Sequence, residues 1–305
     1  MAQLSDEERE VIRQEMSGGA QAGAGAEGAG EGQAAPEQGT GPDLFEMNPL
    51  SQVHHMVGVV SGKGGVGKSM VTGVIAVELA RAGHTVAVLD ADITGPSIPT
   101  MFGLGGSYLT ALGDNIMPAR TKGGIQVVST NLMLTDEREP VIWRGPVLAG
   151  ALKQFYSDTA WGYVDYLVCD MPPGTGDVPL TVMQSMPIEG VVCVTSPQEL
   201  VQVVVGKSVR MAQMMQVPVL GIVENMSYVT CPDCGRKIYP FGDSHLEETA
   251  RRYGLPVLGR MPMDPALAAA ADAGRIEEDL PENMLPDVIA MIEDLPDLLE
   301  PVPED

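Results

Sequence analysis

Apolar residues in the central part of the chain fall into short unbroken runs. Val57–Val60, the run from His84 to Leu89, Ile125–Ser129, Tyr166–Cys169, Gly190–Thr195, Val217–Val223 and Leu255–Leu258 are the main ones. They are too short for helices and continuous rather than alternating, which predicts strands buried on both faces, as in a parallel sheet. Between them, Met70–Ala82, Pro146–Ser157, Gln198–Gln216 and Ser244–Tyr253 repeat their apolar residues at helical spacing. Strands and helices alternate, so the expected fold class is α/β, a mostly parallel sheet with helices on both faces. No internal repeat is visible.

The pattern stops at both ends. Ser5-Asp6-Glu7-Glu8 fits a capping box with Ser5 as N-cap, which predicts a short helix within residues 1–16. A helix this short is marginal in water, so a frayed tail is the first reading and a tethered docking element the second. Residues 17–46 are rich in Gly, Ala, Glu and Gln without an apolar period and read as a disordered linker. The folded domain is expected over 47–276, with 277–305 as an acidic tail. Within that tail, Asp287–Leu295 places Ile289, Ile292 and Leu295 on one face of a short helix.

Charge follows the same division. The 305-residue chain carries a net charge of −23, of which −8 lies in residues 1–46 and −11 in residues 277–305, leaving −4 between them. The central part is long enough to bury a substantial core. A near-neutral core with acidic ends matches neither DNA nor an anionic membrane. No apolar run is long enough to span a bilayer. With no secretory signal and few cysteines, a cytoplasmic, reducing setting is expected, with no nucleic-acid and no membrane partner.

The chemistry begins after the first strand. Gly62-Lys63-Gly64-Gly65-Val66-Gly67-Lys68-Ser69 fits the phosphate-loop pattern G-x-x-x-x-G-K-[ST] at every fixed position, between a predicted strand and a predicted helix. Glycines let successive backbone N–H groups turn inward as an anion nest, and the helix adds the positive end of its dipole. Lys68 would reach the β- and γ-phosphates of ATP and the Ser69 hydroxyl would ligate Mg2+. Lys63 is a second lysine, too early to serve its own phosphates. It is placed to cross a dimer interface and neutralise charge on the partner's nucleotide; otherwise it is an exposed loop lysine.

Two further strands end in aspartates. The run to Leu89 leads into Asp90-Ala91-Asp92, and Tyr166–Cys169 leads into Asp170. Carboxylates at the carboxyl ends of parallel strands lie where such sheets bind ligands. Asp170 in a Walker B position suits the magnesium shell, and of Asp90 and Asp92 one can hold magnesium through water while the other orients the attacking water. The Pro172-Pro173-Gly174-Thr175-Gly176 segment reads as a γ-phosphate sensor. Each aspartate alone would equally suit a helix N-cap or a turn.

Four cysteines remain. Cys169 and Cys193 lie within strand runs and read as buried. Cys231-Pro232-Asp233-Cys234-Gly235 is polar and loop-like, and its C-x-x-C spacing aims two thiolates at one metal. Two are too few for a closed zinc or iron–sulfur site, and a two-fold dimer supplies four. An intrachain zinc would need two more ligands, with only His245 near in sequence, and a bare redox dithiol lacks a thioredoxin-like context.

Together these segments resemble a known family. The pattern K-G-G-x-G-K-[ST] is similar to the deviant Walker A class of MinD, ParA, the arsenite-pump ATPase, nitrogenase iron protein and the Mrp family. Asp90-Ala91-Asp92-Ile93-Thr94-Gly95-Pro96-Ser97, Trp143-Arg144-Gly145-Pro146, Asp170–Asp177 and Glu224-Asn225-Met226-Ser227-Tyr228 with the following Cys231–Gly235 resemble the Mrp family of iron–sulfur cluster carrier ATPases. The likeness runs from about Val53 to Gly274. It implies a homodimer that binds and hydrolyses ATP. It also implies a labile [4Fe–4S] cluster held between two Cys231/Cys234 pairs, taken from scaffold or donor proteins and passed to apoproteins. In that family Asn225 would read adenine and Asp92 would orient the attacking water. Met70 stands where the family usually has Thr, and Asp243-Ser244-His245 follows Phe241-Gly242 where a glycine run is common. The C-terminal tail has no Lys or Arg, unlike the basic amphipathic tail with which MinD-like proteins reach membranes. The alternative from another class is a MinD/ParA-type switch whose cysteines hold a structural zinc across the dimer; a metal-insertion ATPase for another cofactor is a third.

Overall fold

The computed structural model describes residues 44–298, apart from 93–94, 96, 114, 134–144 and 198–200. The expected N-terminal helix, nearly all of the linker and residues 299–305 lie outside the described residues. In chain order the elements are β1 (Ser51–Val60), α1 (Lys68–Arg81), β2 (Val86–Asp90), α2 (Ile98–Met101), β3 (Thr110–Leu112), β4 (Asn115–Met117), β5 (Ala119–Arg120) and β6 (Gln126–Ser129). Then follow α3 (Gly145–Ser157), β7 (Gly162–Asp170), α4 (Asp177–Ser185), β8 (Gly190–Thr195), α5 (Val201–Met214), β9 (Val219–Thr230) and β10 (Lys237–Ile238). The chain continues through α6 (Leu246–Tyr253), β11 (Val257–Pro262), α7 (Pro265–Asp272), α8 (Ile276–Asp279) and α9 (Pro286–Glu293).

One sheet runs in the order β10-β9-β8-β1-β7-β2-β6-β5, with β11 also paired to β9. All its pairings are parallel except those of the short outer strands β5 and β10. Side chains alternate across each strand. Val86 and Val88 of β2, Val168 of β7 and Val192 and Val194 of β8 face a core completed by α1, α2, α7, α8 and α9. Ala87 and Leu89, Leu167 and Cys169, and Val191 and Cys193 face a second core completed by α3 to α6. Two buried faces are why these strands read as continuous apolar runs.

The sheet and its main helices lie where the apolar pattern predicts them, and the edges differ. β1 starts at Ser51 rather than Val57 because its polar first half still pairs with β7, with His55 stacked on Tyr166. Residues just before it also pack: Phe45 N–H donates to Ser185 O at 2.6 Å and Asn48 is buried, so the described fold begins inside the expected linker.

The larger difference is the C-terminal stretch. Residues 277–298 are folded onto α1, not a tail, and the domain boundary expected at 276 is not present. Ile276, Leu280, Leu285, Val288 and Ile292 are buried, interleaved with outward acids whose count dominated the composition. The acids are used. The Glu277 carboxylate accepts from Thr121 Oγ1 at 2.6 Å, and Glu278 pairs with Lys122 at 2.9 Å. The buried Glu78 of α1 accepts the backbone N–H groups of Met284 and Leu285. At its end, Asp297 meets His54 Nδ1 at 2.7 Å and Leu298 N–H donates to His54 O at 2.9 Å. The helix expected over 287–295 exists as α9, with Val288 and Ile292 as its buried residues.

Candidate functional site

β1 lies between β7 and β8, where the strand order reverses, so the crevice beyond its carboxyl end is the ligand position of such sheets. The phosphate loop fills that position. Gly65 and Gly67 adopt φ of +80° and +78°, a region that glycine enters without steric penalty. A Cβ on Gly67 would also lie 2.0 Å from Asn225 Nδ2, and one on Gly62 would lie 2.2 Å from Val204 O. Helix α1 opens at Lys68 with no side-chain cap. Its first N–H groups are thus left for an anion, as the sequence pattern requires.

Behind the loop, charge is concentrated. Lys68 Nζ, 5% exposed, stands 2.7 Å from Asp170 Oδ1 and 3.5 Å from Asp92 Oδ2. Asp170, fully buried, also accepts from Ser69 Oγ at 2.5 Å and Thr72 Oγ1 at 2.7 Å. Asp90, at the adjoining strand end, accepts from Ser129 Oγ at 3.0 Å and from Asp92 N–H at 3.2 Å. Two buried carboxylates beside a hydroxyl form a hard oxygen donor set that fits Mg2+, with Lys68 as the nearby cation. Thr72 and Ser129 were missed in the sequence. Thr72 lies one helical turn beyond Lys68, and Ser129 ends a predicted strand beside Asp90, so the spacing contained both.

Burial holds the Asp90 carboxyl well above the usual carboxylate range, and the neighbouring Asp170 adds to the rise. A folded-state value above the unfolded one gives stability that is present at low pH and is lost as pH rises through it. Asp90→Asn is therefore expected to raise the melting temperature of the nucleotide-free protein, by more at pH 8 than at pH 5. Thermal unfolding at the two pH values measures it. The same variant should bind magnesium nucleotide more weakly.

The expected γ-phosphate sensor is tied to the loop. Gly174, at φ +87°, donates its N–H to Ser61 O at 2.9 Å, and Ser61 Oγ donates to Lys63 O at 3.0 Å. Lys63 is half-buried at the loop's start. Ile93, Thr94 and Pro96 of the aspartate loop, and Trp143 and Arg144, lie outside the described residues. Asn225, expected from the family resemblance to read adenine, is buried and donates from Nδ2 to Val66 O at 3.0 Å.

The cysteine pair lies on the hairpin between β9 and β10. Thr230 pairs with Lys237, and Cys231 and Arg236 are joined by a backbone bond of 2.9 Å. Cys231 is partly exposed and Cys234 exposed. Backbone N–H groups of Asp233 and Cys234, then the Cys234 thiol, hold the Cys231 thiol below its usual range, which favours the thiolate that binds metal. Among the described residues no group of three or more His, Cys, Asp or Glu side chains is placed to hold a metal. His245 instead faces Glu248 at 3.7 Å, so the intrachain zinc set is not assembled. Cys169 and Cys193 are buried as expected, and burial pushes the Cys193 thiol up to about 12.

Comparison with known proteins agrees with this geometry. A family model described as ParA, NUBPL iron-transfer P-loop NTPase, matches residues 52–294, a span that includes the folded C-terminal helices. The chain is 47% identical over 240 residues to an iron-sulfur cluster carrier protein of Clostridium perfringens, covering 76% of this chain and 84% of that protein. It is 44% identical over 249 residues to one of Methanocaldococcus jannaschii, covering 78% and 86%. Among solved structures, a nucleotide-binding protein of Archaeoglobus fulgidus in complex with ADP superposes with a TM-score of 0.68 at 42% identity, covering 76% of this chain and 92% of that one. MinD of Aquifex aeolicus, at 18% identity, TM-score 0.54 and coverage of 82% and 99%, shares the fold. With loop, carboxylates and cysteine hairpin all inside the matched span, the chain belongs to the ParA/NUBPL family of iron-transfer P-loop NTPases.

Proposed function

We propose that the chain is an iron–sulfur cluster carrier that works as a cytoplasmic homodimer and hydrolyses ATP. Two Cys231/Cys234 pairs would hold one labile [4Fe–4S] cluster and exchange their thiolates for those of a recipient apoprotein, with no net redox change. The observation that carries this reading is the incomplete metal site. Two thiols stand on an exposed hairpin with no third ligand among the described residues, just past the end of the strand that also touches the phosphate loop. A second copy completes the set by symmetry. No helix among the described residues is long and apolar enough to cross a membrane.

For hydrolysis, Lys68 and the open N-terminus of α1 would bind the phosphates. Ser69, Asp170 and Asp90 would hold a Mg2+, which when bound would supply neutralisation of the charge that develops on the phosphates. Asp92 would orient a water whose oxygen attacks the γ-phosphorus while the β–γ bridging P–O bond breaks. ADP and inorganic phosphate leave, and the water's protons remain with phosphate and solvent. Lys63 would act from the partner subunit. Lys63→Ala is expected to retain ATP binding and lose hydrolysis or ATP-dependent dimer closure, with a rate decrease of about 10³-fold, the lower bound for a cation supplied in trans. Full activity in that variant, measured by phosphate release, would end the trans-lysine reading.

Metal content tests the whole proposal. Protein purified without oxygen and reconstituted with iron and sulfide should hold about four iron and four sulfide per dimer. About one zinc per dimer without sulfide would instead make the chain an ATP-driven switch with a structural metal.

A further inference from the structure

We propose that Glu224 is a positioning residue that couples the phosphate loop to the cysteine hairpin, so that nucleotide binding changes the presentation of Cys231 and Cys234. The proposal rests on the carrier reading only in taking those cysteines as the functional pair.

Glu224 and Asn225 are neighbours on β9, so their side chains leave the strand on opposite faces. Asn225 reaches the phosphate loop. Besides the bond to Val66 O, its Oδ1 accepts Met226 N–H at 2.9 Å. Met226 has φ +56°, a left-handed conformation that a non-glycine residue keeps only where its surroundings enforce it.

On the other face Glu224 is fully buried. Its Oε2 accepts from Ser227 Oγ at 2.6 Å and its Oε1 from Ser244 Oγ at 2.5 Å. Arg260 Nε on β11 lies 3.5 Å from the same carboxylate. Ser227 precedes the cysteine hairpin and Ser244 follows it. One carboxylate therefore closes both ends of the segment that carries Cys231 and Cys234. The residue beside it grips the loop that receives phosphate.

A plain brace needs no buried charge. Apolar packing would hold the two loop ends without the desolvation that a carboxylate imposes. What the carboxylate adds is direction: two hydroxyls and one guanidinium fix a single arrangement of the hairpin relative to β9 and β11. Phosphates entering the loop recruit its N–H groups and shift the Val66 carbonyl. Asn225 must follow or release it. The strained backbone at Met226, within β9, is the link between that change and the Glu224 clamp.

The test uses the full chain without a cluster. Alkylation of Cys231 and Cys234 by iodoacetamide is timed without nucleotide, with magnesium ADP and with a magnesium complex of a non-hydrolysable ATP analogue. Cys169 and Cys193 are buried and do not compete. In the wild type the analogue should change the rate by about fivefold or more, the lower end of allosteric couplings. In Glu224→Gln and Ser244→Ala that ratio should fall towards one while nucleotide affinity is unchanged. Ser244→Ala removes one hydroxyl only and decides the matter if Glu224→Gln does not fold. An unaltered ratio in the variants, no nucleotide effect in the wild type, or loss of nucleotide affinity in both variants would each overturn the proposal. Failure of the carrier reading is separate: it appears as reconstituted wild type without iron, whatever the thiol rates.

Discussion

Lys68→Ala is expected to abolish useful ATP binding, lowering affinity by at least about 100-fold, or roughly 2.7 kcal/mol. Hydrogen bonds to charged groups contribute about 1.5–3 kcal/mol each, and this ammonium is the cation placed to make them deep in the phosphate loop. The nucleotide-free protein changes as well. Lys68 stands between Asp170 and Asp92, with the buried Asp90 nearby. Without it, the buried carboxylates lose their counter-charge, and removing one partner of a buried pair typically costs about 3–5 kcal/mol. Ser69 and Thr72 still donate to Asp170, and protonation of Asp90 relieves part of the repulsion, so the lower end of that range is expected. Calorimetric titration with ATP and thermal unfolding of the same preparation separate the two effects. Binding retained within tenfold of wild type would place the phosphates elsewhere.

The second large effect concerns the cysteines. Cys231→Ser with Cys234→Ser should remove all iron and sulfide from the reconstituted dimer while leaving fold and nucleotide affinity intact. The expectation of an intact fold is structural. Both cysteines lie on an exposed hairpin outside the two apolar cores, so their replacement opens no cavity. The single variant Cys231→Ser should already lose the cluster, because in the proposed dimer two-fold symmetry removes two of four ligands at once. Iron, sulfide and zinc analysis beside nucleotide titration reads the result. Stoichiometric metal retained in the double variant would show that the ligands lie elsewhere in the chain.

Phosphate loop, aspartates and cysteine pair were legible because each is a local event. A glycine pattern between strand and helix, an acid after an apolar run and two cysteines at fixed spacing need no knowledge of distant residues. What escaped was relational. Thr72 and Ser129 look like ordinary hydroxyl residues until β7 and β2 bring Asp170 and Asp90 beside them. Glu224 reads as one acid at a strand end until Ser227, Ser244 and Arg260 converge on it.

The C-terminal stretch marks the same boundary. It holds eleven acids and no base, and composition alone makes it a tail. Leu280, Leu285, Val288 and Ile292 decide otherwise, because α1 and β11 offer them a surface, and Glu78 supplies acceptors for the backbone at Met284 and Leu285. The sequence by itself determined the parallel strands of the sheet, the phosphate loop and the candidate ligands, since helical and strand periodicity and short motifs are carried by neighbours in the chain. Tertiary structure alone decided that residues 277–298 belong to the folded domain, which hydroxyls serve the carboxylates and which side chain ties β9 to the phosphate loop. Those depend on surfaces that exist only once strands distant in sequence lie side by side.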